Sequence, residues 1–165
     1  MKPPPIPYEH VLALPFMLRE IIPNAYRDEN NHMNVRWYMA IFDQAGYPFV
    51  AQFGIDNDFH MKYGTGGFDL EHHLHYLNEV GIGDTVAVYA RVLNRTPKRI
   101  HYMMFMVNET RGNIAATFEC VNSFADIVER RTAPYPPAIA ARIDAMLAEH
   151  QALPWEAPVC GVMSA

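Results

Sequence analysis

The sequence predicts an α+β domain, with one long amphipathic helix buried against an antiparallel sheet. Three observations carry this. Between residues 35 and 53, apolar side chains recur at three- and four-residue steps, which makes one face of a helix. From residue 68 onward the period changes to extended apolar runs separated by turns rich in Gly and Pro. The helix comes before a series of strands joined by short turns, so helix and sheet segregate along the chain.

The elements follow in order. Four prolines by position 7 predict an extended, stiffened arm over residues 1–14. Phe16, Leu18 and Ile22 suit a first strand within residues 15–25. Residues 26–34 form a polar knot. Asp28, Asn30, Asn31 and Asn34 in it are all good N-cap residues, and Asn31 also tolerates the left-handed conformation. The helix follows, with Val35, Tyr38, Met39, Phe42, Ala45, Gly46, Phe49, Val50 and Phe53 on its apolar face. Pro48 falls inside it and predicts a kink or a restart.

After Gly54 the pattern reads as extended. Residues 64–67 predict a turn, 68–80 a strand, and 81–84 a second turn. Val86, Val88, Ala90 and Val92 alternate with other residues in a period-2 strand. A turn at 95–98 leads to a strand at 100–107. A hairpin at 109–113 leads to a long strand at 114–127. Met103, Met104 and Met106 read as core packing. Pro134, Pro136 and Pro137 end the sheet, and Ile139, Ile143, Met146 and Leu147 mark a short helix. The expected organisation is thus an arm (1–14), a main domain (15–130) and a C-terminal extension with a short helix (131–165).

Composition bounds the function. A chain of 165 residues, half of them hydrophobic, can bury a core as one domain. Thirteen Lys and Arg against eighteen Asp and Glu give a net charge of −5, which argues against nucleic acid as the partner. The N-terminal residues have the pattern neither of a secretory signal nor of a membrane span. Two cysteines without zinc-ligand spacing predict reduced thiols and a cytoplasmic location.

Asp28-Glu-Asn-Asn31-His32-Met33-Asn34, followed by Tyr38, Phe42 and Ala45, resembles the hotdog superfamily. It is similar in particular to the 4-hydroxybenzoyl-CoA thioesterase-like branch, whose pattern is D-x-x-G-H-x-N before an aromatic on the helix. Tyr76 and the Gly83-Asp84 turn match the end of the family's strand. Asn31 stands where the family has Gly; both residues adopt positive φ. The resemblance implies a hotdog fold, a sheet wrapped around a central helix, and hydrolysis of an acyl-CoA thioester. Residues 130–163 are similar to the tails of thioesterases of carnitine breakdown, which points to betainyl-CoA as substrate.

The resemblance also implies a site. A thiolate leaves readily at neutral pH, so thioester hydrolysis needs a base or nucleophile and an oxyanion donor, but no strong acid. Asp28 is the expected catalytic carboxylate, with His32 and Asn34 beside it. The backbone amides of Met33 and Val35, at the start of the helix, are the expected oxyanion donors. Glu71 is an alternative base. Asn31, Trp37 and Tyr38 are candidates for holding the acyl group, the two aromatics as receptors for a quaternary ammonium. Arg91, Arg95, Lys98 and Arg99 cluster near one turn and are candidates for CoA phosphates. Asp28, Asn34 and His32 also fit plain capping and turn roles.

His72, His73 and His75 lie on one strand, but no third ligand of obvious spacing stands near them in sequence, so no metal is expected. No cofactor is expected beyond the CoA carried by the substrate. The expected partners are that substrate and further copies of this chain, as a homodimer or homotetramer, with no nucleic acid and no membrane. Two other readings share the fold: a hydratase or dehydratase, and a non-catalytic acyl-CoA-binding protein. The spacing D-x-x-x-H is shorter than the D-x-x-x-x-H of the (R)-specific hydratases.

Overall fold

Helix α1 (Tyr8–Leu12) opens the part of the chain that the computed structural model describes, residues 6–165. Residues 1–5 of the expected extended arm lie outside the described residues, and its remainder forms this short helix instead. Strand β1 (Phe16–Ile21) follows, then a 3₁₀ turn (Asn24–Tyr26) and helix α2 (Val35–Ala51). After α2 come helix α3 (Asn57–Tyr63), strands β2 (Thr65–Tyr76), β3 (Thr85–Arg95), β4 (Arg99–Asn108), β5 (Asn113–Asp126) and β6 (Arg131–Thr132), and helix α4 (Pro137–Gln151). The sheet order is β1-β3-β4-β5-β2, with β6 paired to β5. β1 runs antiparallel to β3.

Several expectations are corrected. Helix α2 runs through Pro48 without a break. Burial of Ala45, Phe49 and Phe53 on either side of the proline outweighs its helix cost of about 3 kcal/mol. Helix α3 lies where extended chain was expected. Asp56 caps its first turn by accepting from the Phe59 amide at 2.8 Å, and Gly64, at φ 60°, ends it in the left-handed conformation. The expected turn at 64–67 is therefore a helix end, and Gly66 and Gly67 already belong to β2. In β1 the buried residue is Met17, while Phe16 is exposed and meets Tyr89 edge-on. β3 is buried on both faces from Val86 to Val92, so its alternation does not mark a solvated side.

The chain forms two compact units: Met1–Pro48, Leu74–Ala90 and Met104–Phe118 in one, Phe49–His73, Arg91–Met103 and Glu119–Ala165 in the other. In the first, Tyr38, Ile41, Phe42 and Ala45 of α2 are buried. Phe42 stacks on Phe118 of β5, with ring centroids 5.2 Å apart. Such a pair contributes about 0.5–1.5 kcal/mol beyond its buried area.

In the second unit, Phe49 packs on Phe53 and on Tyr102 of β4. Helix α4 docks through Ile139, Ile143 and His150; Met146 and Leu147 of its expected stripe are only half-buried. His150 Nδ1 accepts the Val92 amide at 2.9 Å. The Arg91 guanidinium donates to the carbonyls of His150 and Trp155 and lies over the Trp155 ring.

Burial, and then the nearby Arg91 charge, pull the His150 imidazole from 6.5 down to about 4. Between these values the unfolded chain binds a proton that the native chain does not. The contribution is therefore complete above about pH 6.5 and is lost as pH falls toward 4. Urea unfolding across that window is expected to show wild type losing on the order of 1–2 kcal/mol more than His150→Gln. Parallel pH profiles would contradict this role for His150.

Candidate active site

The polar knot before α2 folds as a tight loop pinned to the segment after β2. Arg27 and Met33 bridge across the loop, and His32 bridges Gly81. The Met33 amide donates to the Val80 carbonyl at 2.8 Å, and the Asn34 amide to Tyr26 at 2.9 Å. Asn31 sits at φ 70°, the left-handed turn expected of it, and its side chain accepts from Arg27.

The 81–84 turn anchors the other side. One Asp84 oxygen accepts from the Gly81 amide at 2.8 Å, from Asn108 at 2.7 Å and from Arg111 at 2.8 Å. Gly83 takes φ 87° to close that turn.

This pinning arranges three titratable groups in a row. Asp28 Oδ1 accepts from the amides of Asn30 and His32, at 2.9 and 3.3 Å. Its Oδ2 faces His32 Nδ1 at 3.4 Å. His32 Nε2 lies 3.6 Å from Glu79 Oε1. The Asp28 side chain is 12% exposed, His32 29% and Glu79 72%, so the row runs from protein to solvent. One carboxylate oxygen is fixed by backbone donors, and the other is directed at an imidazole.

A cleft of about 260 Å³ opens at this row, lined by Asp28, His32, Met33, Val35, Tyr38, Tyr76, Leu77, Asn78 and Glu79. The rings of Tyr38 and Tyr76 meet edge to face, 5.1 Å apart. The Tyr38 hydroxyl donates to the Asn78 carbonyl. Burial raises the pKa of both phenols, which keeps them neutral.

The structure sorts the expected residues. Asp28, His32, Met33, Val35 and Tyr38 come together at the cleft. Asn34 caps α2: its side chain accepts the Arg36 amide at 3.2 Å, and its carbonyl accepts Trp37. The Met33 amide is committed to Val80, so it is not an oxyanion donor. Val35, at the first turn, lines the cleft, and its amide has no hydrogen-bond partner among the described residues.

Asn31 and Trp37 do not line the cleft. Trp37 stacks on Tyr26 at 3.7 Å, with Arg36 over its ring. Glu71 is exposed on β2 and is likewise not among the lining residues. The expected cation cluster also divides: Arg91 is buried, Arg95 pairs with Asp144, and Lys98 and Arg99 are exposed. Glu79 was missed because nothing local in the sequence reveals which strand end the 26–34 knot pairs with.

The sequence profile of the Thioesterase-like superfamily matches residues 24–143. The chain belongs to that superfamily. It is 30% identical to a betainyl-CoA thioesterase of Pseudomonas aeruginosa, over 77% of this chain and 80% of that one. It is 28% identical to an L-carnitine dehydrogenase/betainyl-CoA thioesterase of Agrobacterium fabrum, of whose length it spans 25%.

Among solved structures, a Staphylococcus aureus protein in complex with CoA superposes with a TM-score of 0.81 at 22% identity, covering 92% of this chain and 96% of that one. A 1,4-dihydroxy-2-naphthoyl-CoA thioesterase from Synechocystis does so at 0.68 and 12% identity, over 78% and 95%. The fold is the hotdog fold, and the chain is an acyl-CoA thioesterase.

The capping geometry makes a testable statement. Asn34→Ala is expected to cost about 1 kcal/mol in chemical denaturation, and Asn34→Ser to recover most of it, with activity following the cap. A Ser variant that is fully stable but inactive would show that Asn34 does more than cap.

Proposed function

We propose that the chain hydrolyses betainyl-CoA to betaine and CoA, with Asp28 as the base. The observation that carries this is the lining of the cleft, where two neutral tyrosine rings stand with the carboxylates of Asp28 and Glu79. Ring faces and carboxylates together suit a trimethylammonium group. The volume, about 260 Å³, is below the usual range for ligand pockets and suits a short acyl group. The Pseudomonas aeruginosa relative supports the same substrate.

In the proposed reaction Asp28 Oδ2 takes a proton from water, and the water oxygen bonds to the thioester carbon. The Val35 amide at the N-terminus of α2 receives the developing oxyanion. The C–S bond then breaks, and its electron pair leaves with the CoA thiolate. His32 bridges the two carboxylates and holds Asp28 in orientation. Asn34 acts through the cap that sets the helix start. Lys98 and Arg99 remain the candidates for CoA phosphates. CoA arrives with the substrate, so the chemistry needs no further group.

The assembly is a homodimer or homotetramer. β2 is an edge of the sheet with Phe68 and Leu70 exposed, a surface that favours pairing. No described helix is long and apolar enough to cross a membrane. Both cysteines are free thiols, which supports the reducing cytoplasm as the compartment.

A panel of betainyl-, short straight-chain, aromatic and enoyl-CoA thioesters tests the reading by thiol release and enoyl absorbance. Betainyl-CoA is expected to give the highest kcat/KM. Asp28→Asn is expected to lower kcat by about 10²–10⁴-fold. Glu79→Gln is expected to raise KM for betainyl-CoA about threefold while leaving the neutral substrates unchanged. Full activity of Asp28→Asn, or loss of the enoyl band without thiol release, contradicts the proposal.

A further inference from the structure

A second group of polar side chains gathers on three neighbouring strands and the C-terminal tail. β4, β5 and β2 are adjacent in the sheet and contribute His101, Glu119 and His73. The tail contributes Cys160. An imidazole nitrogen of His73, a carboxylate oxygen of Glu119 and the Cys160 sulfur all lie within 4.8 Å of one another. Glu119 is 1% exposed and His101 6%. His101 Nε2 holds Glu119 Oε1 at 2.8 Å, and the Cys160 amide donates to Oε2 at 2.7 Å.

We propose that His73, Glu119 and Cys160 bind a divalent zinc-like ion that fastens the C-terminal tail to the sheet. An imidazole, a carboxylate and a thiolate together match zinc rather than magnesium or calcium, which take oxygen ligands. Ligand atoms about 2.0–2.3 Å from one tetrahedral ion stand roughly 3.3–3.8 Å apart. His73 Nδ1 and Glu119 Oε2 are already 3.9 Å apart, so small side-chain movements close the site.

His101 supplies the supporting hydrogen bond that metal-bound carboxylates need. The His101 ring nitrogen at Oε1 and the Cys160 amide at Oε2 hold the buried Glu119 carboxyl in a fixed orientation. His73, 47% exposed in its side chain, opens the group to solvent, from which a water would complete a tetrahedral set. Binding releases the Cys160 thiol proton to solvent.

A neighbouring group, Asp69, His72 and Cys120, fits less well. Cys120 is fully buried, and Asp69 Oδ1 is taken by Asn122 and Cys120. It serves as the internal control.

The test titrates chelator-treated full-length protein with cobalt(II). One equivalent is expected to give a thiolate-to-cobalt charge-transfer band, displaced by one equivalent of zinc. The band is expected to be absent in Cys160→Ser, retained in Cys120→Ser, and shifted to at least ~10-fold weaker binding in His73→Ala. Zinc is expected to raise the melting temperature of wild type and not of Cys160→Ser, whose thioester hydrolysis reports that it is folded. No band in active wild type overturns the proposal. So does a band that survives Cys160→Ser or disappears with Cys120→Ser.

Discussion

The candidate site depends on the pairing of residues 32 and 33 with residues 80 and 81. The Met33 amide reaches Val80 at 2.8 Å, and His32 bridges Gly81. This short stretch of β-type pairing converts a polar loop into part of the scaffold. It fixes where α2 begins and brings Glu79 to His32. Without it, Asp28 and the first turn of the helix would have no common geometry. The Asp84 carboxylate, with three donors on one oxygen, holds the other side of the pairing in place.

The same constraint divides labour among the amides at the helix start. Helix N-termini expose several unpaired N–H groups. Here the Met33 and Asn34 amides go to carbonyls of the scaffold, and the Asn34 side chain takes the Arg36 amide. The Val35 amide has no such partner among the described residues. A single open donor beside an ordered carboxylate is a narrower arrangement than an open helix terminus, and in the proposed reaction the carbonyl lies between the two.

Much of this was legible in the sequence, for physical reasons that can be named. The period of α2 follows from one buried face. The turn residues Gly83 and Asn31 are the types that accept positive φ, and both adopt it. Asp28, His32 and Val35 are close in sequence, so their meeting is a local event. Helix α3 escaped notice because all of its residues are half-buried or exposed, and it carries no apolar stripe to give a period. Glu79 and the roles of Met33 and Trp37 escaped because they depend on contacts between segments far apart in sequence. The grouping of His73, Glu119 and Cys160 escaped for the same reason: spacing along one strand says nothing about which strands lie beside it.

The central claim is that the substrate carbonyl sits between Asp28 and the amide of Val35. A structure of the protein bound to a thioether analogue of betainyl-CoA that retains the carbonyl tests this directly. The account predicts the carbonyl oxygen within hydrogen-bond distance of the Val35 amide, with the trimethylammonium group against Tyr38 and Tyr76. An analogue bound with its carbonyl away from the first turn of α2 would contradict it.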